Sequence, residues 1–272
     1  MSAGTGRIPA TSEPRLAGSY VAVPGGRLWT EQAGSGPAVL FAHAGIADRL
    51  MWDEQMAALA GRYHVIRYDQ RGYGKSSPPD VSYSPVADLG AVLDHAGADR
   101  AVLVGCSIGG AIAIQFLLAH PGRMTGLVLA AASTSGLPFE PVPEYFAALR
   151  TGDLEQLQAV TIQALASARS SPDVEQRVRA IIAANVAGQL TMGRNWLDNE
   201  PAYPRLGGIA VPTLVVAGDR DHPDFVRVAR LLAAKISGAR LEILPGADHL
   251  LPMRTAAAFT GLLAGFLDSL PR

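Results

Sequence analysis

RAVLVGCSIGGAIAIQFLLA, residues 100–119, decides the fold. Its first five residues form a short, β-branched apolar run of the kind that makes a buried strand. Ala111–Ala119 is an apolar helix closed by His120-Pro121-Gly122. Between them stands Gly105-Cys106-Ser107-Ile108-Gly109, with Gly110 following. A strand that turns straight into a helix forces the residue at the apex into a strained backbone conformation. Glycines at 105 and 109 carry no Cβ, so neighbouring backbone can pass close by. Ser107 then projects its hydroxyl above the sheet, at a helix N-terminus whose free N–H groups favour developing negative charge. G-x-S-x-G between a strand and a helix is the setting of a nucleophilic serine. Cys106 reads as a small buried neighbour with no sign of activation.

Outward from that turn the chain alternates. Tyr20–Val23 and Leu28–Glu31 flank Pro24-Gly25-Gly26 as a hairpin. Strands are expected at Ala38–Ala42, His64–Tyr68, Met124–Ala130, Pro212–Ala217 and Leu241–Leu244. Helices are expected at Met51–Ala60, Val86–His95, Phe225–Ile236 and Ala256–Leu270. The strands are near-continuous apolar runs. The alternation therefore implies an α/β fold with a mostly parallel, twisted sheet covered by helices on both faces. Residues 1–17, rich in Gly, Ser, Thr and Pro, read as a disordered tail. Residues 134–205 break the rhythm with helical patterns such as Leu154–Leu165 and Val174–Ala187 and no strand. They read as a helical cap inserted into a core of residues 18–133 and 206–272, starting where a strand's carboxyl end would meet ligand. The cap aromatics Phe139, Tyr145, Phe146, Trp196 and Tyr203 are candidates for a pocket wall or for plain core.

Serine needs a positioned base. Of six histidines, His249 lies in LEILPGADHLLP, past the last strand, at the sheet edge where Ser107 emerges. His64 opens a strand and so belongs to the opposite edge. His95 and His120 sit at helix ends, where capping and dipole roles are usual. The orienting acid should leave another strand at the same edge, and Gly218-Asp219-Arg220-Asp221-His222 does. Asp219, deep in the turn, suits bonds to local backbone N–H groups. Asp221 lies further out, within reach of the His249 loop, and is the favoured acid; a structural role is expected for His222. An oxyanion needs donors. The N–H of Ile108 comes with the turn, and the N–H of Gly45 is the best second donor, its missing Cβ leaving room for substrate. His43 is expected to hold that loop by a side-chain hydrogen bond.

Composition narrows the classes. Of the 272 residues, 49% are hydrophobic and 17% charged, the latter below the typical ~25%. The net charge of -1 makes no electrostatic case for nucleic acid or an anionic membrane. One cysteine excludes an internal disulfide and fits a reducing compartment, so a cytoplasmic location is expected. No metal-ligand spacing such as H-x-x-H is present, and no metal or cofactor is implied.

AVLFAHAGIADRLMWDEQ, RYDQRGYGKS, VLVGCSIGG, VVAGDRD and LPGADHLLP together resemble the signature blocks of the α/β-hydrolase superfamily, across about residues 19 to 270. The order Ser107, Asp221, His249 is that family's order. One departure is Ala44 after His43, where members carry glycine; Gly45 then holds the usual donor position. The HAGIADRLMW form is most similar to esterases and 3-oxoadipate enol-lactonases. The resemblance implies hydrolysis of a small-molecule carboxylic ester or lactone through an acyl-Ser107 intermediate. A cofactor-free perhydrolase or haloperoxidase, a carbon–carbon bond hydrolase, and a small-molecule receptor on the same fold stay open as alternatives.

Overall fold

In the computed structural model of the chain, residues 16–137, 142–197 and 200–271 are described. β1 (Ala17–Val23) and β2 (Gly26–Ala33) make the hairpin, and β3 (Ala38–Ala42) follows. A 3₁₀ turn at Arg49–Trp52 leads into α1 (Asp53–Leu59), so the first helix starts looser than its periodicity suggests. Next come β4 (His64–Tyr68), α2 (Pro85–His95), β5 (Ala101–Cys106), α3 (Ile108–Ala119) and β6 (Met124–Ala130). Three helices then run without an intervening strand: α4 (Pro143–Thr151), α5 (Leu154–Leu165) and α6 (Pro172–Gln189). The chain ends through β7 (Thr213–Gly218), α7 (Pro223–Lys235), β8 (Arg240–Leu244), α8 (Leu251–Arg254) and α9 (Ala256–Asp268). The final helical stretch is thus preceded by a separate turn of helix, with Thr255 at the break. Ala17 already pairs with Gln32, so order begins before the expected tail boundary at residue 17; residues 1–15 of that tail lie outside the described residues.

The sheet runs β1-β2-β4-β3-β5-β6-β7-β8. β1–β2 and β2–β4 pair antiparallel, and every later pair is parallel. Alternation along the strands sends side chains to two cores. Val39, Phe41, Val102 and Val104 meet Met56 of α1 and Phe259 and Leu263 of α9. Leu40, Leu103, Leu127 and Leu129 meet α2, α3 and α7 on the other face. Helices on both faces leave the parallel strands β3, β5 and β7 buried throughout, which is why they read as unbroken apolar runs, while the edge strand β8 stays partly exposed.

Two features place the site. The chain leaves β3 toward β4 on one side, while β5 lies on the other, so strand order reverses between the carboxyl ends of β3 and β5. Such a switch point opens a crevice. The second feature is the clearance at the head of α3. A Cβ on Gly105 would lie within 2.6 Å of Gly110 Cα, and one on Gly109 would collide with the carbonyls of Ala42 and His43. Only glycine lets α3 start this close to β3. Gly122, in the turn before β6, has open space around it. Gly109→Ala should therefore lower the unfolding free energy in urea by about 1–3 kcal/mol through overpacking, while Gly122→Ala changes it by less than about 0.5 kcal/mol, as surface substitutions do. Equal effects at the two positions would show that the close approach is not the constraint.

Candidate active site

Four strands deliver the candidate residues to one edge of the sheet. Ser107 caps β5 with φ 55° and ψ −119°, a conformation that costs a non-glycine residue of order 1–3 kcal/mol. The turn is clamped on both sides: Ser107 N–H donates to Ala130 O (3.0 Å), and Ser107 O accepts from Gly110 N (3.0 Å) and Ser133 N (3.1 Å). Cys106, just before it, is fully buried, and burial pushes its thiol well above the ordinary range, as an inert packing residue should behave.

His249 and Asp221 are buried and in contact, with His249 Nδ1 3.1 Å from Asp221 Oδ2. Oδ1 of the same carboxylate accepts from His222 N–H at 2.7 Å. In a neutral imidazole, donation from Nδ1 leaves Nε2 as the acceptor. Ser107 and His249 line the same cavity, of about 210 Å³, though no hydrogen bond joins their side chains among the described residues. Asp219 faces elsewhere: its Oδ1 accepts from Gly246 N–H at 2.6 Å. That corrects the expected local bond, because the contact crosses to the loop after β8. His222 Nδ1 accepts from Asp224 N–H at the start of α7. His64 bonds Gln32 at the opposite edge, His95 bonds Ser19, and His120 caps α3.

The loop after β3 is fixed by four polar contacts. His43 Nδ1 lies 2.8 Å from Ala44 O, and its Nε2 accepts from Gln70 N–H at 2.9 Å, so His43 does hold the loop by its side chain. Ala44 O also accepts from Ala47 N–H at 3.1 Å. Pinning that carbonyl fixes the planar, trans Ala44–Gly45 peptide, so the Gly45 N–H points the opposite way. Tyr73 donates its hydroxyl to Gly45 O at 2.8 Å. Neither Gly45 N–H nor Ile108 N–H has a hydrogen-bond partner among the described residues. The room above Gly45 is not open, however: a Cβ there would strike the Met192 sulfur.

Two buried residues near the site, Asp248 and Arg254, carry no motif and escape sequence reading. Asp248 accepts from Arg254 Nε (3.0 Å), Ala168 N–H (3.0 Å) and Leu250 N–H (3.1 Å). Arg254 also donates to Glu175 (2.7 Å) and to Ala166 O (2.6 Å). Burial raises the Asp248 carboxyl above its usual range, against the pull of Arg254. His249 N–H donates to Leu165 O at 3.2 Å. The His249 loop is therefore bolted to the α5–α6 connection. The one available signal was a charge on each side of His249, which is too common to interpret. Of the aromatics at residues 134–205, Tyr145 and Phe146 line the cavity. Trp196 stacks edge-on against Tyr83, Tyr203 packs against the core under α7, and Phe139 lies outside the described residues. Among the described residues no group of three or more metal-ligating side chains occurs, and no helix is long and apolar enough to cross a membrane.

The profile of the alpha/beta hydrolase fold family matches residues 37–254, and the chain belongs to that family. Its curated relatives include 3-oxoadipate enol-lactonase 2 of Acinetobacter baylyi, 28% identical over 237 residues, 82% of this chain and 85% of that one. Among solved structures, Est816, described as an N-acyl homoserine lactone degrading enzyme, is 31% identical with a TM-score of 0.79, covering 91% of this chain and all of its own. The enol-lactonase from Burkholderia xenovorans LB400 is 27% identical with a TM-score of 0.77 over 92% of this chain and 100% of its own.

The buried His43 carries a pH signature. Desolvation lowers its pKa in the fold, against the raising effect of Asp69. An unfolded histidine titrates near ~6.5, so on acidification the unfolded chain takes up the proton first. The contribution of neutral His43 to stability is thus complete above about pH 6.5. It is lost as pH falls from there toward the folded-state value, at up to ~1.4 kcal/mol per pH unit. His43→Gln removes that proton, so its unfolding free energy, from urea titrations at pH 7.5, 6 and 5, should fall by less than the wild type's. Parallel declines in the two proteins would mean that His43 is not held neutral.

Proposed function

We propose that this chain is a serine hydrolase that cleaves a small-molecule carboxylic ester or lactone through an acyl-Ser107 intermediate. The observation that carries the reading is the buried 3.1 Å contact between His249 Nδ1 and Asp221 beside a strained serine on the same cavity. Asp221 holds the imidazole in the tautomer that leaves Nε2 as base. Nε2 takes the Ser107 proton as Oγ attacks the carbonyl carbon. The N–H groups of Gly45 and Ile108, both without internal partners, receive the oxyanion. His249 then returns the proton to the departing alkoxide, and a water activated by the same Nε2 releases the acid. Every step uses protein groups and water. An Oγ–Nε2 bond that is absent before substrate binds fits this scheme, because such contacts tighten in the loaded complex. Residues 134–205 serve as the cap that closes the cavity, over a core of residues 18–133 and 206–272. The family's enol-lactonase and acyl homoserine lactone relatives support the choice of ester and lactone substrates.

Members of a triad act as a unit. Ser107→Ala and His249→Ala should each lower kcat on p-nitrophenyl esters by roughly 10³-fold or more, and the double variant little further. Multiplicative losses would overturn the assignment. Asp221→Asn should cost on the order of 10⁴-fold, whereas Asp219→Asn should chiefly reduce stability by releasing Gly246. An organophosphonate should label Ser107 in the wild type, which a receptor on this fold would resist.

A further inference from the structure

The cavity's polar inventory is short. Its wall includes Leu137, Val142, Phe146, Leu165 and Val228, and no lysine or arginine among the described residues. The charges just behind the wall are carboxylates. Asp221 backs His249, and Asp248, the residue just before His249, is paired with Arg254. A carboxylate in this space would lose its water, find no counter-ion and face a like charge. An unpaired buried ion costs several kcal/mol.

Besides the Ser107 nucleophile, the wall carries the hydroxyls of Ser133, Thr134 and Tyr145. Tyr145 OH is committed to Gln189 Oε1 at 3.1 Å. Thr134 is buried, 9% exposed, and its Oγ1 has no hydrogen-bond partner. A buried hydroxyl left unpaired is unfavourable, and Thr134 lines the cavity two residues beyond Ala132, on the segment whose Ser133 N–H bonds Ser107 O.

We infer that the cavity takes a neutral acyl group, excludes one bearing a carboxylate, and hydrogen-bonds a polar atom of that group through the Thr134 hydroxyl. This rests on the serine hydrolase reading and names its substrate class. Of the wall's hydroxyls Thr134 carries the one that is buried without a partner, which makes it the specificity-determining group of the acyl site. A site built around a hydrogen bond discriminates more sharply than an apolar one.

The test compares p-nitrophenyl hexanoate with p-nitrophenyl hydrogen adipate, which differ by a terminal methyl against a carboxylate. The whole wild-type protein should favour the hexanoate at least tenfold in kcat/KM; a smaller preference overturns the charge exclusion. Hexanoyl esters with an ether oxygen replacing each inner chain methylene in turn then probe Thr134. At one oxygen position or more, the ether-to-hexanoate ratio of kcat/KM should fall fivefold or more in Thr134→Val and stay near wild type in Thr134→Ser. If no position responds, or if the serine variant falls equally, the role of Thr134 is overturned. Phosphonate labelling separates the layers. A labelled protein that hydrolyses both esters equally overturns the inference alone. A protein that is not labelled and hydrolyses neither ester overturns the hydrolase reading and the inference with it.

Discussion

Ser107 is held at φ 55° and ψ −119°, and the rest of the molecule is arranged so that this conformation persists. A strained residue survives only where its surroundings over-determine it. Here β6 supplies an acceptor in Ala130 O, the start of α3 supplies the Gly110 N–H, and the segment after β6 supplies the Ser133 N–H. The contact of α3 with the carbonyls of β3, possible only through Gly109, fixes the distance between the serine and the loop carrying Gly45. Elbow and loop are therefore one rigid feature, built at the reversal of strand order between β3 and β5.

The opposite wall is rigid for a different reason. The turn after β7 and the loop after β8 are laced by Asp219 N–H to Leu244 O, Arg220 N–H to Ala247 O and Asp219 Oδ1 to Gly246 N–H. Asp248 and Arg254 then tie the second loop to the α5–α6 connection. A buried ion pair adds little net stability compared with apolar packing. Its contribution here is geometric: Arg254 satisfies Ala166 O, Asp248 and Glu175 at once, so the loop bearing His249 and the helices forming the cavity wall cannot shift independently. The imidazole is aligned through its neighbours, which agrees with the general dependence of such groups on supporting contacts.

The legible part of this architecture is local. The elbow was readable because strand, turn and helix are contiguous in sequence and its glycines are required by contacts within a few residues. Strand and helix order followed from apolar runs that the two-faced burial of a parallel sheet makes unavoidable. His249 and Asp221 were readable by position, since both follow strands that end at the same edge, and their contact matches that placement. The bond of Asp219 to Gly246 and those of Arg254 to Glu175 and Ala166 were not readable: each joins residues 27 or more positions apart, and nothing in the local sequence marks them. The break at Thr255 and the 3₁₀ start at Arg49 were missed because hydrophobic periodicity does not register where backbone bonding changes type. Gly45 was expected to leave space, but that space is filled by Met192 from 147 positions away.

On the proposed mechanism, chemistry and shape come from different parts of the chain. Ser107, Asp221, His249, Gly45 and Ile108 all sit at strand ends or the head of α3, where sheet register dictates their positions. Leu137, Val142, Tyr145, Phe146, Leu165 and Met192 come from the helical excursion between β6 and β7, whose helices need only an apolar face and tolerate change. The family profile, reaching from residue 37 to 254, spans both parts, and the positional constraints lie in the first. Relatives at 27–31% identity can therefore share the sheet-edge geometry while their acyl walls diverge. Substrate class must then be argued from the wall's own charges and unpaired groups, and among the described residues the wall holds no lysine or arginine and has a buried threonine hydroxyl without a partner.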